Sequence, residues 1–153
     1  MRACRLVAAC LVLAAAAPAA AETPPVTVET LGPVTPGNAP GQALYLIRYR
    51  IAAGTRLPLH HHEGTQIGLV EAGVLTYHVA TGEVPVYAAG ADGATVAVRT
   101  VRAGETAEIL PGQWVVEEAD AHHWGANLGG EPLVITTSAL LRAGAPLATR
   151  DQP

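Results

Sequence analysis

Apolar and polar residues alternate along much of the chain from position 43 onward. Over residues 43–51 every second residue is apolar, and this two-residue period is typical of a β-strand with one buried face. Similar short runs follow at residues 67–71, 74–80, 84–87, 95–101, 107–110, 114–118 and 132–140. Glycines separate these runs, and no window combines a 3.6-residue period with helix caps. The pattern predicts an all-β fold, either a sandwich or a jelly-roll barrel.

The regions outside this pattern differ from it in composition. Residues 22–42 carry five prolines and three glycines, so we expect an extended N-terminal arm with at most one short strand, at Val26–Val28. Residues 43–142 are predicted to form a single barrel domain, and residues 143–153 a C-terminal tail. Within the domain, residues 81–94 are expected to form a hairpin extension.

The first 21 residues have the pattern of a secretory signal peptide. Arg2 and Arg5 precede 12 consecutive apolar residues, Leu6–Ala17, and three alanines follow the next proline. The apolar run is shorter than the roughly 20 residues of a membrane-spanning helix. Only four apolar residues precede Cys10, which disfavours a lipoprotein cleavage site. We therefore expect cleavage after Ala21 and a periplasmic or secreted mature protein without a membrane anchor.

Removal of this segment would leave a small acidic chain without cysteine. Cys4 and Cys10 both lie within it, so the mature chain would have no disulfide, thiolate ligand or cysteine nucleophile. Every basic residue is an arginine, and the seven that remain oppose 13 acidic residues, which gives a net charge of −6. The absence of a basic cluster along the sequence disfavours nucleic acid and anionic membranes as partners. Small molecules and further copies of the same chain are the expected partners.

Five of the six histidines occur in two clusters, at positions 60–62 and 122–123. Side chains alternate between the faces of a strand, so His60 and His62 are expected on one face and His61 on the other. Two imidazoles on one face can bind a divalent ion, and a histidine from the second cluster would complete a three-histidine shell. This pattern alone leaves open whether His122 or His123 takes that place.

The residues around both clusters fit two known motifs. Residues 54–73, GTRLPLHHHEGTQIGLVEAG, have the spacing of the first cupin motif, with Gly54, His60, His62, Gln66 and Gly73 at its defined positions. Residues 112–127, GQWVVEEADAHHWGAN, have the spacing of the second, with Gly112, His123 and Asn127 at its defined positions. The chain from about residue 43 to residue 141 therefore resembles the cupin superfamily. It departs from the motifs at Gln66, normally a glutamate, and at Glu118 and Asp120, normally proline and glycine.

This resemblance implies a fold and a metal centre. The fold is a double-stranded β-helix, or jelly-roll barrel, and the centre holds one divalent ion, Fe, Mn, Ni or Zn. The implied ligands are His60, His62, Gln66 and His123. The spacing to Asn127 favours His123 over His122 as the ligand. Glu63 would replace a ligand only if the chain were irregular after the first cluster.

Gln66 is the departure with the largest chemical consequence. Its amide offers a neutral oxygen that cannot take up a proton, so three imidazoles and an amide would leave the full charge on the ion. The sequence shows no obvious acid or base beside the ligands. Replacement of Gln66 by glutamate is therefore expected to tighten the binding of Mn(II) or Fe(II).

The resemblance is compatible with two functions. One is an exported metal-dependent enzyme, such as a dioxygenase, that acts on a small organic molecule; isomerases and lyases also occur in the superfamily. The other is a non-catalytic cupin that binds a metal or a small molecule. Arg56, in the loop before the first cluster, is either a solvated residue or a contact for an anionic substrate. A homodimer is also expected, because cupins often pair through their sheet edges.

Overall fold

The computed structural model describes residues 25–152, and these residues form two antiparallel β-sheets. The strands are β1 (Val26–Val34), β2 (Gln42–Ile51), β3 (His60–His61), β4 (Gly64–Ala72), β5 (Leu75–Thr81), β6 (Glu83–Ala89), β7 (Thr95–Arg102), β8 (Thr106–Ile109), β9 (Gln113–Glu117), β10 (His122–Ala126), β11 (Leu133–Arg142) and β12 (Thr149–Arg150). The larger sheet has the order β1-β2-β11-β4-β9-β6-β7, and the smaller has the order β12-β3-β10-β5-β8. Within this part of the chain there is no helix that could cross a membrane. The expected cleavage site and both cysteines lie outside the described residues.

Strand β2 confirms the alternation from which the all-β fold was predicted. Its buried residues are Ala43, Ile47 and Ile51, whereas Leu44 and Leu46 on the opposite face are 40% and 46% exposed. The strand lies between β1 and β11 and pairs with both of them along its length. Its inward face therefore forms part of the wall of the core.

The N-terminal arm is more regular than its proline content suggested. Strand β1 pairs with β2 from Val26 opposite Ile51 to Val34 opposite Leu44, so the expectation of at most a short strand at Val26–Val28 is wrong. An edge strand hydrogen-bonds on one side only and can therefore accommodate a proline. Pro33 lies where the register shifts near the end of β1.

The C-terminal tail also contributes a strand. Its short strand β12 pairs with β3, with Thr149 opposite His61 and Arg150 opposite His60. The segment before β12 packs its Leu147 against a small cluster that contains Ile47. The tail is therefore part of the fold around the first histidine cluster.

One core lies between the two sheets. Val70 and Leu133 from the larger sheet pack with Val79 and Ile109 from the smaller sheet, and all four are fully buried. Burial of each such side chain stabilises the fold by roughly 1.5–3 kcal/mol. The two sheets are thereby fixed relative to each other, and with them the side chains that they present to the interior.

The chain crosses from the smaller to the larger sheet at Gly64, between the first histidines and Gln66. A Cβ atom at this position would meet the carbonyl oxygen of Leu140 and lie 2.9 Å from the Cα atom of Leu141. Strand β11 therefore approaches so closely that only glycine fits here. The change of sheet places His60 and His61 on the smaller sheet and Gln66 on the larger one.

Candidate metal centre

Three histidines converge between the sheets. His60 on β3 lies opposite His123 on β10, and His62 lies two residues further along the chain, on the same face as His60. The ring centroids are 4.4 Å apart for His60 and His123, 5.1 Å for His60 and His62, and 5.3 Å for His62 and His123. One ring nitrogen from each lies within 4.8 Å of the other two. We call these three residues the inner cluster.

Backbone carbonyl groups orient all three rings of the inner cluster. A carbonyl oxygen can only accept, so the Nδ1 atom that contacts it carries the hydrogen and Nε2 keeps its lone pair. The acceptors are Pro58 for His60 at 2.8 Å, Leu147 for His62 at 2.7 Å and Ala121 for His123 at 3.0 Å. Metal-binding histidines are commonly held in this way.

Burial keeps these imidazoles neutral. It is the main cause that lowers the pKa of His60, His62 and His123 below the ordinary value of 6.5, and the neighbouring histidines lower it further. The negative charge of Glu117 acts in the opposite direction but does not outweigh burial. Each ring therefore has a lone pair available near neutral pH.

Glu117, which the sequence analysis did not identify, is a buried carboxylate beside the inner cluster. It lies at the end of β9, opposite Gln66 on β4, and is 4% exposed. Its Oε1 atom is 3.3 Å from Nε2 of His123, and its Oε2 atom is 3.5 Å from Nε2 of His62. The expectation that no acid lies beside the ligands is therefore wrong. A local signal existed, because Glu117 shares a strand face with the buried Val115.

Hydrogen bonds hold Glu117 in its ionised form. The hydroxyl of Tyr77 donates to Oε1 at 2.6 Å, and the side-chain amide of Gln66 donates to Oε2. Burial alone would raise the pKa of Glu117. At the low pH where this carboxyl titrates, His123 and His62 are protonated, and their charges together with these two hydrogen bonds lower its pKa from 4.5 to about 2. The inner cluster therefore lies beside a permanent negative charge.

Gln66 reaches the centre with its amide nitrogen. Nε2 lies 2.7 Å from Nε2 of His62, which accepts because the hydrogen of that ring is on Nδ1. The other hydrogen of the amide goes to Glu117, and Oε1 is buried without a hydrogen-bond partner in the described part of the chain. Gln66 is thus part of the centre, and a role as metal ligand stays a prediction for it.

The other sequence candidates lie outside the inner cluster. Glu63 pairs with Arg142 at 3.2 Å, so it is turned away from the histidines. His122 faces the opposite side of its strand and contacts Asp151. The structure therefore brings His123 rather than His122 to His60 and His62.

A cavity of about 530 Å³ adjoins the inner cluster. Most of its wall is apolar and includes Ile51, Leu57 and Leu75. Arg56 and Arg150 also line it, and the guanidinium of Arg56 lies 3.8 Å from the ring centroid of Trp124. That stacking fixes the guanidinium over Trp124, on the side of β10 opposite to His123. The space is large enough for a small organic molecule.

Comparison with solved structures establishes the fold. The polyketide cyclase RemF from Streptomyces resistomycificus matches with a TM-score of 0.55 at 15% identity, over 85% of this chain and 73% of that one. A cupin 2 domain-containing protein from Halorhodospira halophila matches with a TM-score of 0.53 at 14% identity, over 83% and 70% of the two chains. This chain has the cupin fold. The comparison confirms the fold that the sequence resemblance implied.

This chain also matches part of a larger protein. Salicylate 1,2-dioxygenase from Pseudaminobacter salicylatoxidans matches with a TM-score of 0.51 at 14% identity, over 76% of this chain but only 26% of the dioxygenase. In sequence comparisons, neither a family model nor a curated protein matches. At such low identities the likeness shows the fold, and function has to be argued from the site.

Proposed function

We propose that this chain is an exported metal-binding protein that holds one divalent ion between its two sheets. The ligands are His60, His62, His123 and Glu117. The observation that carries the proposal is the convergence of three imidazoles whose Nδ1 atoms all donate to backbone carbonyls. Without an ion, Nε2 of His62 accepts from Gln66, whereas the Nε2 lone pairs of His60 and His123 lie in the same cluster without a donor among the described residues.

The donor set suits the ions that the sequence predicts. Three neutral imidazoles and one carboxylate are ligands for Fe(II), Mn(II), Ni(II) and Zn(II). Glu117 supplies the negative charge that Gln66 cannot, and the amide of Gln66 holds that carboxylate in position. An ion bound here would supply Lewis-acid chemistry and, for iron or manganese, redox chemistry.

The cavity favours a small organic anion as the substrate. Its apolar wall fits a hydrocarbon or aromatic body, and Arg56 and Arg150 can receive a carboxylate. We therefore assign the protein to the metal-dependent oxygenases of small organic acids. The fold that it shares with a salicylate dioxygenase is compatible with this assignment.

A second candidate function, non-catalytic binding of such a molecule, is favoured by the protonation states in the centre. Glu117 remains ionised because its pKa is about 2. Burial raises the pKa of Tyr77 well above 10, so its hydroxyl remains protonated. Neither group is suited to exchange protons near neutral pH, as an acid–base catalyst must.

Metal content tests the proposed centre. Alanine in place of His60, His62 or His123 should each remove one equivalent of ion, measured by elemental mass spectrometry of purified protein. His78→Ala is the matched control, because His78 lies on the same sheet and its ring contacts Thr106 and Trp124 rather than the inner cluster. Equal metal content in all four variants would contradict the proposal.

Oxygen uptake separates the two functions. The Fe(II)-loaded protein should consume oxygen with a small aromatic carboxylate but not with the corresponding neutral amide. Arg56→Gln and Arg150→Gln should weaken binding of the acid, whereas Arg99→Gln on the exposed strand β7 should not. Calorimetric binding of the acid without oxygen uptake would select the non-catalytic function.

A further inference from the structure

A second set of metal-binding side chains lies behind the inner cluster. His61 and His122 each lie next to an inner-cluster histidine in the sequence. Because side chains alternate along β3 and β10, they face the outer side of these strands. Their ring centroids are 4.6 Å apart. Asp151, just beyond β12, lies between them. We call His61, His122 and Asp151 the outer cluster.

One carboxylate connects the two rings of the outer cluster. Nδ1 of His61 is 2.7 Å from Oδ1 of Asp151, and Nδ1 of His122 is 2.7 Å from Oδ2. The three ligand atoms lie within 4.8 Å of one another. Two imidazoles and a carboxylate form a common donor set for divalent transition ions.

The outer rings can bind an ion through the atoms that now contact Asp151. In the described part of the chain, Nε2 of His61 and of His122 has no hydrogen-bond partner, so it is free to carry the ring hydrogen. Nδ1 would then have a lone pair for the metal, and Nε2 would donate to solvent. The side chains are 23%, 35% and 14% exposed for His61, His122 and Asp151, so an ion can reach them from solvent.

We propose that the outer cluster is a second divalent-cation site, occupied by zinc. Asp151 is fixed at the sheet by its backbone N–H, which donates to the carbonyl of Leu59 at 3.1 Å. An ion there would attach the C-terminal segment to β3 and β10. Leu147 of that segment orients His62, so the outer ion would also support the inner cluster.

Zinc stoichiometry tests the second site independently of the first. Chelator-treated wild-type protein titrated with Zn(II) should bind two ions per chain in native mass spectrometry and calorimetry. Asp151→Asn and His61→Ala should each bind one. His123→Gln should also bind one, because it disrupts only the inner cluster. His78→Ala should still bind two.

The melting temperature tests whether the second ion lies at the outer cluster. In the His123→Gln background, Zn(II) should raise the melting temperature, and addition of Asp151→Asn should abolish that rise. If wild type binds one ion that Asp151→Asn retains and His123→Gln loses, the outer cluster is only a hydrogen-bonded clamp and the inference is wrong. A second ion that survives both Asp151→Asn and His61→Ala would also overturn it, because it would lie elsewhere.

Discussion

Glu117 determines the charge of the proposed metal centre. The three histidines beside it are neutral, and the amide of Gln66 adds no charge, so the carboxylate provides the negative charge at the centre. Its side chain is buried and its pKa is about 2, so that charge persists across the ordinary pH range. Metal affinity should therefore depend on this residue more than on Gln66.

Glu117→Gln should lower the affinity for Mn(II) or Fe(II) by about ten-fold or more, which corresponds to roughly 1.4 kcal/mol. The change removes the charge and keeps the volume. Competition with a chelator of known affinity measures the effect. Glu118→Gln is the control, because Glu118 is exposed and accepts a hydrogen bond from Thr65 at 2.6 Å. Equal affinities for the two variants would show that Glu117 does not bind the ion.

The motif alone predicts tighter metal binding for Gln66→Glu, and the contact of Gln66 with Glu117 predicts in addition a loss of stability in the metal-free protein. The new carboxylate would lie beside Oε2 of Glu117, and two carboxylates in contact cannot both remain ionised without a cost. The metal-free variant should therefore unfold at a lower temperature than wild type near neutral pH. The difference should shrink at about pH 5, where the second carboxyl takes up a proton. A variant as stable as wild type near neutral pH would contradict the contact between the two side chains.

The metal-free protein should lose stability as the pH falls. Burial lowers the pKa of the inner-cluster histidines below 6.5, so below that value the unfolded chain binds more protons than the folded one. Glu117 adds a second loss as the pH falls from 4.5 towards 2. Thermal unfolding in chelator, at pH values from about 8 to about 2, measures both effects. The double variant His62→Gln/His123→Gln should lose less stability just below pH 6.5 than wild type does. Identical curves of stability against pH would show that these two histidines do not cause the loss.

At the scale of elements, the chain changes sheet at Gly64, and this places Gln66 across the interior from His60. Gly64→Ala should lower the free energy of unfolding by about 2 kcal/mol or more, because the new Cβ would meet the backbone of Leu140. Denaturant titration measures the loss. Gly130→Ala is the control, since a Cβ there would meet no atom within 4 Å. Similar stabilities for the two variants would show that strand β11 does not approach so closely.

The elements that the sequence predicted well are those with one buried and one solvated face. Their two-residue period is a local property, so strands such as β2 and β5 could be located from it. Strand β1 was predicted too short because prolines suggested an irregular arm, and β12 was missed because two residues cannot show a period. Glu117 is opposite Gln66 only through the pairing of β4 with β9, and no local pattern specifies that register. The motif spacing supplied the histidines, since it defines positions along the chain rather than pairings across it.

At the scale of the whole molecule, the larger sheet presents an apolar outer face. Leu31, Leu46 and Ile67 occupy one row across neighbouring strands, with Ser138 between the last two. The three apolar residues are 59%, 46% and 46% exposed. An exposed apolar row of this kind is typical of a surface that contacts another protein. Dimer formation and export stay predictions.

The two histidine clusters lie on opposite faces of the same pair of strands, and the C-terminal segment contacts both. Leu147 accepts the hydrogen bond from His62, and Asp151 accepts those from His61 and His122. This segment lies outside the two motifs, so their spacing does not include it. Its contacts make the C-terminal tail part of the functional region.

The most direct test of the proposed centre is the anomalous scattering of crystals grown with zinc. We predict a peak between the two sheets, at roughly 2.0–2.1 Å from the Nε2 atoms of His60, His62 and His123 and at roughly 2.0–2.2 Å from a carboxylate oxygen of Glu117. The same map should show no such peak for His123→Gln crystals. Zinc-saturated wild-type crystals without a peak at these histidines would contradict the account.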